Sequence, residues 1–127
     1  MKEQFLKLLK EVDIENSPIG WVFENAEELD AFKQLLENDE FEKIQEFFNS
    51  RINDTPDNSI EVVWEEIHKV LDDIKEGIPF TYDVYDDSVS AEYSFDGKEM
   101  TADIDGEVQV EKPGMLILSM LYVALNF

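Results

Sequence analysis

The last thirteen residues, 115–127, constrain the fold most, because they carry no charge in a chain that is otherwise rich in acids. Only Ser119 and Asn126 are polar in this segment. A helix that is apolar on all sides must be buried on most of them, and a bilayer-spanning helix needs about 20 apolar residues. The segment therefore predicts a buried C-terminal helix at the centre of the core, around which the rest of the chain packs.

The spacing of apolar residues changes from a period of 3.6 to a period of 2 after Gly77, which separates a helical part from a strand-forming part. Polar residues that favour helix N-caps stand before two of the helical patterns. Predicted helices cover residues 2–12, a segment that begins after Asn25, about 40–51, and about 60–76 between Ser59 and Gly77; residues 21–23 are predicted to be extended.

Residues 79–111 predict four antiparallel strands, because apolar and polar residues alternate there between turn signals. Asp96-Gly97 is a strong hairpin signal, and we predict a type I′ turn at these two residues. This turn pairs Tyr93 with Met100, Ala91 with Ala102 and Val89 with Ile104. A loop at 85–88 pairs Val84 with Val89, and a loop at 105–107 pairs Ile104 with Val108 and Ala102 with Val110.

The predicted fold class is therefore α+β: a helical N-terminal half, a four-stranded antiparallel meander at about 79–111 and a buried apolar C-terminal helix. A chain of 127 residues is expected to form a single domain. Residues 1–77 supply its helical part, and residues 78–127 supply the sheet and the last helix.

Charge is the clearest functional indication, since 31 acids and 10 bases give a net charge of −21. Such a charge repels nucleic acid and anionic membranes and speeds the encounter with basic partners. The N-terminal residues lack the features of a signal peptide, and there is no cysteine. We therefore expect a cytoplasmic location, with no direct binding to nucleic acid or to a membrane.

The polar face of the predicted sheet is strongly acidic. Ten acids and one base, Lys98, lie between Asp83 and Glu111. Like charges that oppose each other across a sheet are destabilising, although one polar face is normal for an antiparallel sheet. A solvated face and a binding face are both consistent with this pattern. The predicted face carries Asp83, Glu92, Glu99, Asp103 and Glu111, separated by Thr81, Ser90, Ser94, Thr101 and Gln109.

The sequence predicts no catalytic residue, cofactor or metal site. Asp103-Ile104-Asp105-Gly106 resembles part of an EF-hand loop, but that alignment places Thr101 and Lys112 where acidic ligands are required, and the flanks are strands. His68 is the only histidine, and no Gly-x-Ser-x-Gly motif accompanies it. The aromatic residues of the helices lie on apolar stripes and are predicted to be core. Tyr85 and Tyr122 are candidate exceptions to this core packing, and Tyr85, an aromatic residue beside Asp86 and Asp87, suits an interface anchor.

In size, charge and two-part α+β build, the whole chain resembles the small acidic immunity proteins of bacterial toxin systems, including contact-dependent inhibition. This resemblance is one of general character, with no shared motif. It implies a protein that is not an enzyme and that neutralises a basic toxin domain, a nuclease in many such systems, as a monomer or homodimer. From the charge pattern, the predicted contact residues are Asp83, Tyr85, Asp86, Asp87, Glu92, Asp103 and Asp105.

Three other classes are consistent with the sequence. A decoy that mimics DNA, such as a phage anti-restriction or anti-CRISPR protein, would be expected to carry a linear double row of carboxylates spaced like phosphates. An acidic enzyme or small-ligand carrier would show a deep pocket with convergent polar groups. An oligomerisation module would expose its C-terminal helix to a second copy.

Overall fold

The protein has an α+β fold, as predicted from the sequence. The computed structural model describes residues 1–52, 59–85 and 90–125, with the backbone alone for Pro18 and Trp21. The helices are α1 (Lys2–Lys10), α2 (Ala26–Glu37), α3 (Phe41–Asn49), α4 (Ile60–Glu76) and α5 (Pro113–Leu125), with a short 3₁₀ helix at Pro18–Val22. The strands are β1 (Phe80–Tyr85), β2 (Ser90–Phe95), β3 (Met100–Ile104) and β4 (Glu107–Glu111).

The helix ends follow the predicted capping residues. The side chain of Asn25 accepts a hydrogen bond from the backbone N–H of Glu28 (2.9 Å), and the hydroxyl of Ser59 accepts one from Val62 (3.2 Å). Both caps satisfy N–H groups that have no partner within the helix. At the other end of α4, Gly77 takes the left-handed conformation that commonly ends a helix.

The segment before α2 differs from the prediction. Residues 18–22 form a 3₁₀ helix, so residues 21 and 22 are not extended as predicted, whereas Phe23 is extended. Proline at the first position presets the backbone angle for a helical turn, and 3₁₀ helices are frequent in short connecting segments such as this one between α1 and α2. Val22 and Phe23 pack against the core, and the 3₁₀ helix contacts α5.

The sheet is a meander of order β1-β2-β3-β4, but two of its registers differ from the predicted ones by two residues. Tyr93 faces Ala102 instead of Met100, and Val84 faces Ala91 instead of Val89. The reason for the first shift is the turn: Gly97 and Lys98 are its central residues, since Asp96 N–H donates to the Glu99 carbonyl. Because strand side chains alternate with period 2, a shift of two leaves each residue on its predicted face.

The conformation of this turn also corrects the predicted type I′ geometry. A type I′ turn requires positive φ at both central residues, and only Gly97 has it, at 102°. The carboxylate of Asp96 accepts hydrogen bonds from the N–H groups of Lys98 and Glu99 (2.8 and 2.7 Å). Asp96 therefore flanks the turn and fixes it through its side chain, instead of occupying a central position.

The third register differs by one residue, and this changes the faces of β4. Ile104 pairs with Glu107, so Asp105 and Gly106 alone form the turn, both with positive φ (53° and 88°). This two-residue turn replaces the predicted three-residue loop. A shift of one residue moves every side chain of a strand to the other face, so Val108 and Val110 leave the predicted core face and become exposed.

The helix α5 is the centre of the core, as predicted. Leu116, Ile117, Leu118 and Leu121 are fully buried, and α5 packs against α1, α4, the 3₁₀ helix and β1. Its buried Ser119 is hydrogen-bonded to the hydroxyl of Tyr93 in β2 (3.1 Å). Burial raises the pKa of Tyr93, so this hydroxyl remains neutral and joins α5 to the middle of the sheet.

Two further features of α5 concern its neighbours and its length. Tyr122 is buried at 8% exposure, which corrects its assignment as a candidate exception to core packing. At Gly114 the Cβ atom of any other residue would lie 2.3 Å from the carbonyl oxygen of Leu8. The close approach of α5 to α1 therefore requires glycine at this position. Within the described ranges, no helix is long and apolar enough to cross a membrane.

Candidate functional site

Three carboxylates lie side by side on the face of the sheet opposite to the core. The register places Asp83 of β1 next to Glu92 of β2, and Glu92 next to Asp103 of β3. We call this set the acidic row and the face that carries it the outer sheet face. Neighbouring strands are about 4.8 Å apart, so the acidic row extends over about 10 Å. The sequence-predicted residues Asp83, Glu92 and Asp103 are thus brought together.

The helical half neutralises part of its own charge, whereas the acidic row does not. In the part of the chain that the structure describes, every ion pair between a carboxylate and Lys or Arg lies within residues 2–51. These pairs are Lys2–Glu42, Lys10–Asp39, Lys43–Glu40 and Arg51–Glu28. Like charges in directly opposed positions destabilise a sheet, so a basic group bound at the acidic row would relieve this repulsion.

A row of hydroxyl groups runs parallel to the acidic row. Thr81, Ser94 and Thr101 are aligned across the same three strands. With the turn residues Asp96 and Glu99, they line a groove of about 330 Å³. Hydrogen bonds from the backbone N–H groups, that of Glu99 first and that of Lys98 second in effect, hold the pKa of Asp96 below its usual range. The carboxylate of Asp96 therefore stays charged. The outer sheet face thus offers hydrogen-bond acceptors at both rows.

The remaining predicted contact residues have different positions. Tyr85 ends β1 opposite Ser90 and is 70% exposed, which is high for an aromatic side chain and suits a contact residue. Asp105 lies in the turn between β3 and β4 and is exposed. Asp103 accepts a hydrogen bond from the N–H of Gly106 (3.0 Å), so it also stabilises this turn. Asp86 and Asp87 lie outside the described residues.

The corrected register changes the composition of the predicted face. Val108 aligns with Asp103, and Val110 aligns with Thr101, so both valines extend the outer sheet face. Gln109 and Glu111, predicted to lie there, are on the opposite face with Ala102 and Met100. The sequence signal that identifies the valines is Asp105-Gly106, a dipeptide that favours a two-residue turn and not a three-residue loop.

His68 and Tyr82, two groups with possible acid–base chemistry, each lie beside one carboxylate. His68 is exposed on α4 and lies 3.4 Å from Asp72 on the same helix. Tyr82 donates a hydrogen bond to Glu66 (3.0 Å). Burial is the main cause that raises the pKa of Tyr82, and the negative charge of Glu66 is the second. Among the described residues, no group of three or more His, Cys, Asp or Glu side chains is placed to hold a metal ion.

The outer sheet face is therefore the candidate site: it combines opposed carboxylates, hydroxyl groups and exposed apolar side chains on one surface. Its chemistry suits the binding of a cationic and partly apolar surface. Comparison of the chain with protein-family models, with curated proteins and with solved structures finds no match.

Proposed function

We propose that this protein binds and neutralises a basic protein partner through the outer sheet face. We further propose that the partner is a toxin domain, such as a nuclease, and that this chain is its cytoplasmic immunity protein. The observation that carries the proposal is the acidic row: three directly opposed carboxylates without a Lys or Arg ion pair among the described residues. A surface evolved for stability alone would intersperse cations there.

The binding mechanism follows from the distribution of charge. The net charge of −21 attracts a basic surface over long range and raises the association rate, to as much as about 10⁸–10⁹ M⁻¹s⁻¹ at low salt. At contact, the carboxylates and the hydroxyl row accept hydrogen bonds from Lys and Arg side chains, which are donors only. Tyr85 and the two valines of β4 add apolar area to the same surface.

The geometry supports a protein partner better than DNA mimicry. A decoy for a DNA-binding protein must reproduce phosphates along a duplex, whose helical turn is about 34 Å long. The acidic row is a single line of three carboxylates, about 10 Å in length by strand spacing. A short patch of this kind fits a local cationic surface, such as the basic site of an enzyme that acts on nucleic acid.

The test begins with capture of a basic protein from the source organism's lysate at low salt and its identification by mass spectrometry. The purified pair is then compared for wild type and for the variant Asp83→Lys, Glu92→Lys, Asp103→Asn. Asparagine at 103 retains the oxygen that accepts the Gly106 hydrogen bond. We expect this variant to fold and to bind at least about 100-fold more weakly, since close interfacial charge pairs contribute about 1.5–7 kcal/mol.

The matched control is Glu27→Lys, Glu65→Lys, Glu76→Gln, which changes the net charge equally on exposed helix positions. If both variants weaken binding equally, net charge and not a site is responsible. If only the control loses binding, the interface lies on the helices and the site assignment is wrong. If the captured partner shows no toxicity that co-expression of this chain relieves, the immunity role is wrong while the binding site stands.

A further inference from the structure

Strand β4 has an open edge. It is the last strand of the sheet, and its ladder to β3 is continuous from Glu107 to Glu111. Natural proteins protect such edges with charged side chains, especially lysine, with proline, with bulges or with a covering element. The charges of β4 are those of Glu107 and Glu111, which repel an acidic strand but attract a cationic one. The sequence of β4, Glu-Val-Gln-Val-Glu, has neither lysine nor proline, and its side chains are exposed or half-exposed throughout. Among the described residues, no backbone hydrogen bond joins β4 to any element other than β3, so its outer backbone groups are available to another strand.

The two faces of this edge have different chemistry. On the outer sheet face stand Val108 and Val110, each 66% exposed. On the other face stand Glu107, Gln109 and Glu111. A strand added beside β4 places its alternate side chains next to these two sets. Such a strand would match the edge if it were apolar on one face and cationic on the other.

A groove at the end of β4 repeats this combination. The groove has a volume of about 590 Å³ and lies between the last residues of β4 and the segment after α1. Half-buried Val12 and Met115 give it apolar walls, and its charged lining consists of three carboxylates and one base: Glu11, Asp13, Glu111 and Lys112. A segment that continued from the edge into this groove would again meet apolar and acidic surface together.

We propose that β4 binds an extended segment of the partner by strand addition. The segment would alternate apolar residues, which pack beside Val108 and Val110, with Lys or Arg, which pair with Glu107 and Glu111. This proposal rests on the proposed function, because it requires that the partner be a basic protein. A second copy of this chain is a poorer occupant, because its own acidic β4 and its net charge of −21 would repel the first.

The probe is a capped heptapeptide of alternating lysine and valine, with lysine at both ends. Its control has the same composition, with the valines together in the middle and the lysines outside. Titration calorimetry gives the affinities, and amide hydrogen exchange identifies the protected residues. We expect the alternating peptide to bind at least about tenfold more tightly and to slow exchange in β4. In an added strand only every second N–H group of the peptide faces β4. N-methylation of the amides that face β4 should therefore abolish binding, whereas N-methylation of the other alternate set should not.

The protein variant for the test is Val108→Lys, Val110→Lys, with Val108→Thr, Val110→Thr as a second variant that preserves β propensity. We expect the lysine variant to lose binding of the alternating peptide and the threonine variant to weaken it. Equal binding of the two unmethylated peptides, or no binding of either, would overturn strand addition. The proposed function would still be decided by the acidic-row variant and its partner, so the two failures are distinguishable.

Discussion

Replacement of Gly114 by alanine should destabilise the protein, although the same change stabilises most helices. Alanine exceeds glycine in helix propensity by about 1 kcal/mol. At position 114, however, the added Cβ would lie 2.3 Å from the carbonyl oxygen of Leu8 and 3.0 Å from a methyl carbon of Val12. The first neighbour is backbone and cannot rotate away, so α5 must move away from α1.

The magnitude follows from that displacement. A normal contact distance requires a shift of about 1 Å, and a gap of this size loses a quarter to a half of each packing contact. Overpacked core sites cost about 1–3 kcal/mol, and loosening of the α1–α5 interface adds to this cost. After the gain in helix propensity, we expect a net loss of about 2 kcal/mol, which lowers Tm by roughly 5–10 °C for a domain of this size.

Urea unfolding followed by far-UV circular dichroism measures this loss. The control is Ala26→Gly at the exposed first position of α2, which reports the propensity difference without a tertiary contact and should cost no more than about 1 kcal/mol. If Gly114→Ala were as stable as wild type or more stable, the close approach of α5 to Leu8 would be refuted.

Three further predictions concern the core, the turn and the tyrosines. Deletion of residues 115–127 should leave an unfolded or aggregated chain, because four fully buried side chains of α5 contribute about 6–12 kcal/mol to a typical total of about 5–15; native circular dichroism in the truncated chain would contradict this. Gly97→Val should cost about 2 kcal/mol or more, since φ is 102° and the Cβ would lie 2.9 Å from the Gly77 carbonyl oxygen, whereas Lys98→Val in the same turn should change the urea midpoint little. Burial raises the pKa of Tyr82 and Tyr93 in the folded state above the unfolded value of about 10, so their contribution to stability is complete below about pH 10 and is lost as the pH rises further. The urea midpoint of wild type should therefore fall more steeply above that pH than that of Tyr82→Phe, Tyr93→Phe, and parallel curves would show that the two tyrosines are not responsible.

The elements of this fold could be predicted from the sequence because each depends on local chemistry. Asn25 and Ser59 mark helix starts through their side-chain oxygens, and Gly77 marks an end through its left-handed backbone. The apolar segment at 115–127 could only be buried. The 3₁₀ helix could not be distinguished from an extended segment, because five residues are too few for an apolar period to be read.

The strand registers could not be predicted reliably, because moving the centre of a turn by one residue, or changing its length by one residue, changes the pairing of both strands. At Asp96 the side chain bonds to the turn and moves its centre by one position. At Asp105-Gly106 both residues fit the turn, and no third is needed. The alternation in β4 was read correctly, but its apolar side was assigned to the core, which does not extend to this edge strand. The face that carries Asp83, Glu92 and Asp103 was predicted correctly, since a shift of two residues preserves each face. Their alignment in one row was not predicted, because the predicted registers placed Ser90, and not Glu92, beside Asp83 and Asp103.

The open edge of β4 also determines how this protein must be handled. At neutral pH the edge is protected from other copies by repulsion, because each molecule carries a large negative charge. At the isoelectric point, near pH 4.1, this repulsion disappears while the valines and the unpaired backbone groups remain. An exposed apolar edge strand is a site of aggregation, so buffers near pH 4 should bring copies together along β4, and neutral buffers of low ionic strength should keep the protein dispersed.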